Sequence, residues 1–284
     1  MRTIGAIALG LAISVTAIAA PTAPGAAQAR GAAEHGSWTA RLSADRPDHL
    51  RFELRGDPHA SDGFTVAIAA LTGFDPRALR GSSGPVTFAL RREAGIVTFR
   101  GRFTDGIGGG SFDFAADPAY VAALAKLGLA TSRGEPSLLS LALVDVTTGY
   151  IRAMQTAAYR ASLRDYLVLR AIDTTPDYAG AMTRAFGAVP VNQLVTLRAT
   201  NADPDYVAAL RRLFPGVEVH DVVTLRAMHV MPADVGALRS AGAPIRTPNE
   251  MIQFAALKVT PDMVRRAVRE GQPISPSSLA QTRR

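Results

Sequence analysis

Residues 175–238 read TPDYAGAMTRAFGAVPVNQLVTLRATNADPDYVAALRRLFPGVEVHDVVTLRAMHVMPADVGAL. This stretch repeats itself with a period of 28. Thr175-Pro176, Asp203-Pro204 and Met231-Pro232 head equivalent segments. Extending the register in both directions adds Asp117, Thr147 and Thr260. Asp117 and Thr260 also precede Pro, and Thr147 precedes Thr148. Thr and Asp side chains accept hydrogen bonds from the free N–H groups of a helix start, and Pro at the next position has no N–H to lose. The markers therefore predict helix starts.

Three further columns complete each unit. Val121, Ile151, Ala179, Val207, Val235 and Val264 stand four residues after the markers, and Leu124, Met154, Met182, Leu210, Leu238 and Ala267 seven after. Those offsets share one helix face. Leu141, Leu169, Leu197, Leu225 and Phe254 stand six residues before a marker and belong to a second helix. Each unit is a helix pair that cannot bury its apolar face alone, so the units stack into a solenoid. Column quality falls at residues 266–267, as a terminal cap requires.

Upstream of the repeats the period is two. Trp38, Ala40 and Leu42 alternate with polar residues, as do Leu50, Phe52 and Leu54. Phe64, Val66 and Ile68 follow, then Val86, Phe88 and Leu90, then Val97, Phe99, Gly101 and Phe103, and finally Phe112 and Phe114. Such alternation predicts about six half-buried antiparallel strands. Residues 92–95 and 105–110 read as hairpin connections, and 75–80 as a short helical turn. The fold class is α+β: a small antiparallel β-sheet domain over 30–116, then an α-helical repeat of helix pairs over 117–271. Residues 30–36 read as a flexible start. Residues 272–284 are polar, carry two Pro and show no period, and read as a disordered tail. The first repeat helix is expected to cover the apolar face of the sheet.

Residues 1–29 read as a secretory signal peptide. Arg2 precedes an uncharged apolar run over 4–20, and Ala27-Gln28-Ala29 suits signal peptidase. The run is short and rich in Ala and Gly, so cleavage is favoured over retention as an anchor. Export to the periplasm or the extracellular space follows, with no stable membrane span after signal removal. Cleavage takes away one cation, Arg2, and no acid, so the formal charge of +7 becomes +6. Lys126 and Lys258 are the only lysines beside 29 arginines. The basic residues are interleaved with acids, which argues against a nucleic-acid partner. A basic exported chain suits an anionic envelope. There is no Cys, so no disulfide framework is available.

Catalytic motifs are missing. There is neither HExxH nor GxSxG. His35, His49, His59, His220 and His229 never pair at i, i+4. Asp45, Asp48, Asp57 and Asp62 match no known calcium loop in spacing. The Gly-rich run at 105–110 lacks the Lys and Ser/Thr of a phosphate loop. No metal or other cofactor is expected.

Two columns offer binding residues. Arg170, Arg198 and Arg226 recur at 28-residue spacing and would form a ladder on one surface of the solenoid. The ladder reads either as a solvated face or as a basic groove for an acidic partner. Tyr150, Tyr178 and Tyr206 recur in step, with Tyr120 one unit earlier. They read either as core packing with the hydroxyl at the rim or as an aromatic ladder for a partner.

The units resemble a degenerate helical repeat, L-x-x-L-x-x-x-G-V-T-P-x-Y-V-x-x-L-R-x-x-G-Y. It occurs in extracytoplasmic portions of BlaR-type membrane metallopeptidases, in some anti-sigma factors and in stand-alone exported proteins. GSFDFAADPAYVAALAKLG, residues 110–128, is similar to the segment that joins a β-rich region to the repeats in those proteins. The likeness covers residues 38–271. The peptidase motif and membrane helices are absent, so the resemblance implies only the accessory region and carries over no catalytic residue. The expected function is an exported, non-enzymatic binding or sensory module that recognises protein or cell-envelope polymer through the repeat surface. The alternative is a secreted hydrolase of unfamiliar type with its site between the domains.

Overall fold

Alternation of inward apolar and outward polar residues builds six of the seven antiparallel strands found among the described residues: β1 (Glu34–Leu42), β2 (His49–Gly56), β3 (Ser61–Ala67), β4 (Leu71–Thr72), β5 (Val86–Arg92), β6 (Gly95–Thr104) and β7 (Ile107–Ala116). The computed structural model describes residues 34–56, 61–81, 84–132 and 134–281, so the signal segment and its cleavage site lie outside the described residues. The strand order is β3-β2-β1-β7-β6-β5-β4. The seventh strand, β4, is two residues long and shows no periodicity of its own. β1 starts at Glu34, ahead of the alternation, because Glu34 to Ser37 pair in register with Ser111 to Phe114.

The sheet covers much of its own apolar face by curling. β2 and β5 are separated by three strands, yet the Phe52 and Phe88 rings lie 6.2 Å apart. Trp38 is the hub. Its indole meets Phe52, Phe88, Phe99 and Phe103 at 5.5–5.9 Å. Its Nε1 donates to the Arg100 carbonyl at 3.2 Å. Glycines make the seat: a Cβ on Gly101 would come within 2.9 Å of the indole, and one on Gly108 within 2.7 Å. This corrects the reading of 105–110 as a connection. Asp105 and Gly106, both at positive φ, make the two-residue turn, whereas Gly108, Gly109 and Gly110 lie within β7. Residues 75–80 do form a short 3-10 turn, Pro76–Leu79, capped by Asp75.

Twelve helices follow among the described residues: α1 (Pro118–Lys126), α2 (Leu138–Val144), α3 (Thr148–Thr156), α4 (Leu163–Ala171), α5 (Pro176–Phe186), α6 (Val191–Ala199), α7 (Pro204–Leu213), α8 (Val219–Ala227), α9 (Pro232–Ser240), α10 (Pro248–Ala256), α11 (Pro261–Glu270) and α12 (Pro276–Gln281). The odd helices α1 to α11 stack in one layer and the even helices α2 to α10 in another. Every marker caps an odd helix. Thr147, Thr175, Asp203 and Thr260 accept the N–H three residues on, and Asp117 that of Ala119. Met231 has no oxygen to offer; Asp234 accepts the Met231 N–H instead, at 2.7 Å.

Each even helix from α2 to α10 ends in one and the same turn. Asp145, Asp173, Asn201, His229 and Lys258 are left-handed. The next N–H reaches back to Leu141, Leu169, Leu197, Leu225 and Phe254 respectively. This is the Schellman arrangement, in which the residue after the left-handed one packs on the helix. Val146, Ala202, Val230 and Val259 occupy that position. In the remaining unit it is Thr174, 1% exposed, whose hydroxyl has no hydrogen-bond partner. Thr174→Val removes an unpaired buried hydroxyl while keeping its shape. It is expected to raise stability by about 1 kcal/mol, read as a higher urea midpoint at unchanged slope.

Sheet and repeats belong to one compact unit, Ala33–Arg284. The helix packed on the sheet is α2, which meets β3, β6 and β7. The expectation that α1 covers the apolar face is corrected to this extent: the main helix contact with the strands is made by α2, and α1 packs chiefly on α3. Glu93, in the β5–β6 turn, fastens the junction: its carboxylate accepts the Thr148 N–H at 2.8 Å and the Thr148 hydroxyl at 2.5 Å. A negative charge there also suits the N-terminus of α3. At the other end α12 packs on α11, with Leu279 buried. This corrects the reading of 272–284 as disordered over Pro276–Gln281, while residues 282–284 lie outside the described residues. Six residues are too few to display a period, but Ser275 caps the helix by accepting the Ser278 N–H.

Candidate functional site: an arginine-lined cleft

The two sequence columns meet each other. Arg170 lies over the Tyr150 ring at 5.7 Å, Arg198 over Tyr178 at 5.6 Å and Arg226 over Tyr206 at 5.0 Å. Within each unit the even-helix arginine thus stacks on the odd-helix tyrosine. The hydroxyls also have work in the fold. Tyr120, Tyr150, Tyr178 and Tyr206 donate to the carbonyls of Val146, Thr174, Ala202 and Val230. Each acceptor immediately precedes the next unit's marker, so the tyrosine locks one repeat to the next. Arg170 and Arg226 add Nε bonds to the carbonyls of the left-handed Asp145 and Asn201, at 3.2 and 3.0 Å. These seven side chains form a row of stitches.

Burial pushes the Tyr150, Tyr178 and Tyr206 phenols up to about 12, while the stacked arginine pulls each the other way. Their folded pKa values exceed the unfolded value near 10, so the stabilisation is complete below pH 10 and is lost as pH rises toward 12. Absorbance at 295 nm is expected to show these phenols ionising together with loss of helical circular dichroism across that window. Ionisation near pH 10 with the helices intact would contradict it.

A second row of the same kind went unread in the sequence. Arg211 lies over Phe186 and Arg239 over Phe214, at 5.7 and 4.9 Å, joining adjacent units. Arg239 also donates to the Ile245 and Leu213 carbonyls.

The cleft that concentrates unpaired charge lies where the sheet meets the repeats. It holds about 450 Å³ and runs along the edge of β3, from Gly63 to Ala67, opposite the C-terminal ends of α2 and α4. Four arginines line it: Arg46 after β1, Arg51 on β2, Arg92 on β5 and Arg170 on α4. Among the described residues only two acids join them, Asp145 and Asp173. Asp145 faces Arg92 at 3.4 Å and Arg170 at 3.8 Å, and Arg170 reaches Asp173 at 3.6 Å. Arg92 Nε is buried without a hydrogen bond. Both acids are thereby engaged. Arg46 and Arg51 are exposed, and among the described residues neither forms an ion pair.

Arg51 carries a further mark. It stands directly across from Arg41 in the β1–β2 register, and both point outward. Like charges directly opposed in a sheet are destabilising unless an anion lies between them. Thr39, Glu53 and Ile107 surround this pair in a shallower hollow of about 280 Å³.

Of the residues singled out in the sequence, Arg170 alone both stitches the repeat and lines the cleft. Arg198, Arg226 and the three tyrosines belong to the stitches. Arg46, Arg51 and Arg92 were not legible, because only the strand order decides which sheet edge faces the repeats. Among the described residues the cleft is lined by neither His nor Cys. Among the described residues no group of three or more His, Cys, Asp or Glu is placed to hold a metal, and no helix is long and apolar enough to cross a membrane. Comparison with protein-family models, with curated protein sequences and with solved structures finds no match to this chain.

Proposed function

We propose that the chain is an exported, non-enzymatic binding or sensory module that takes an anionic part of a protein or of an envelope polymer into the cleft between sheet and repeats. The observation that carries this reading is the excess of four arginines over two aspartates among the described residues of one concave site, where Arg46 and Arg51 form no ion pair with any described residue. Guanidinium groups hold carboxylate and phosphate through paired N–H donors, which favours anions with oxygens at their surface. Binding is favoured over hydrolysis because each cleft acid is already bound to an arginine. The Arg170, Arg198 and Arg226 ladder, the surface that the spacing brought forward, is a weaker candidate because its guanidinium groups lie on tyrosine rings. The resemblance to the repeats of BlaR-type regulators supports a receptor or sensory role and export.

The test uses the full chain with polyglutamate and polygalacturonate as probes. Binding is expected to weaken with salt. The double variant Arg46→Gln/Arg51→Gln is expected to bind about tenfold more weakly at low salt without loss of stability, because both side chains are exposed and the Arg41–Arg51 repulsion is relieved. Equal binding by parent and variant, or binding indifferent to salt, would remove the cleft as the site.

A further inference from the structure

The cleft offers main chain as well as charge. β3 is the last strand on its side of the sheet. β2 pairs with one of its edges, and among the described residues no strand pairs with the other. Gly63 to Ala67 line the cleft. A free strand edge presents a row of N–H and C=O groups that templates another strand. Five residues extend over about 17 Å.

Alternation along β3 settles what such a strand would carry. Thr65 pairs with Arg51 and Gly63 with Glu53 on the outward face. Phe64 pairs with Phe52 and Val66 with Leu50 on the inward face. A residue added opposite Thr65 therefore projects to the side of the unpaired Arg51. Residues added opposite Phe64 and Val66 project to the core side, where Leu143 and Val144 line the cleft. A uronate or phosphate polymer matches the arginines but has no N–H and C=O ladder to offer β3. An extended acidic peptide matches both.

We propose that the cleft binds an extended segment of a partner protein with alternating acidic and apolar residues, which adds to the free edge of β3 as an eighth strand. This rests on the anion-binding reading above and chooses protein over polymer as the partner.

The experiment measures fluorescence anisotropy of a labelled nine-residue peptide of alternating Glu and Val with the full chain. Two further versions carry N-methyl groups on alternate sets of amides, which leave the charge unchanged. The peptide is expected to bind, and Arg51→Gln to weaken it about tenfold. One N-methylated version is expected to lose at least about tenfold and the other little, since only one edge of an added strand pairs with β3. Amide hydrogen exchange within 63–67 is expected to slow on binding. Equal binding by both N-methylated versions, or exchange unchanged in β3, overturns strand addition. Binding of polygalacturonate but not of the peptide overturns it too and leaves the anion-binding reading standing. Failure of every anionic probe overturns both.

Discussion

Trp38→Ala is expected to destabilise the chain by about 3–5 kcal/mol, the range for removing a large aromatic from a packed core. Trp38 is 1% exposed and touches four aromatic rings from β2, β5 and β6. Its substitution also leaves the Arg100 carbonyl without the indole donor. The seat cannot collapse easily, because its floor is already glycine at 101 and 108. The indole spans strands that are not neighbours, so its loss also weakens the closure of the curl. Guanidinium denaturation followed by circular dichroism measures the loss, with Arg41→Ala on the outward face of the same strand as the comparison. That exposed change is expected to stay within about 0.5 kcal/mol of the parent. A Trp38→Ala loss no larger than the Arg41→Ala change would mean that the curled sheet does not enclose a core.

The second large effect lies in the repeats. Leu197→Ala and Leu225→Ala are each expected to cost about 2–5 kcal/mol. Both are fully buried at equivalent places, where they also close the Schellman turns at Ala202 and Val230. Similar losses at both sites are expected, because each unit has the same neighbours in the stack. Arg198→Ala provides the contrast. On the sequence alone it reads as a solvated residue worth under about 0.5 kcal/mol. Its stack over Tyr178 raises the expected loss to about 0.5–1 kcal/mol. Denaturation of the three variants tests the order. Equal losses for leucine and arginine would show the helix faces to be assigned with the wrong phase.

Much of the molecule is written in local chemistry. Helix starts at Asp117, Thr147, Thr175, Asp203, Met231 and Thr260 were legible because a cap, a proline and two apolar columns act within a dozen residues. Leu197 and Leu225 could be placed in the core from spacing alone. Strand identity was equally local, since inward Phe52 and outward Arg51 alternate whichever strands lie beside them. The exceptions have local causes too: α12 is too short for a period, β4 is a two-residue strand, and the glycines of β7 imitate a turn.

The site is different in kind. Arg170, Arg198 and Arg226 are identical in sequence register, yet only Arg170 faces the sheet, because it belongs to the unit beside β3. Arg46, Arg51 and Arg92 come from separate stretches and share a cleft with Asp145 through the strand order and the packing of α2. The sequence by itself determined the repeat, the caps, the alternation and the apolar faces, all set by neighbours along the chain. Only the tertiary structure decided that the sheet curls onto Trp38, that tyrosines stitch one unit to the next, and which arginines remain without an acid. Those outcomes depend on contacts between residues distant in sequence, which no period records.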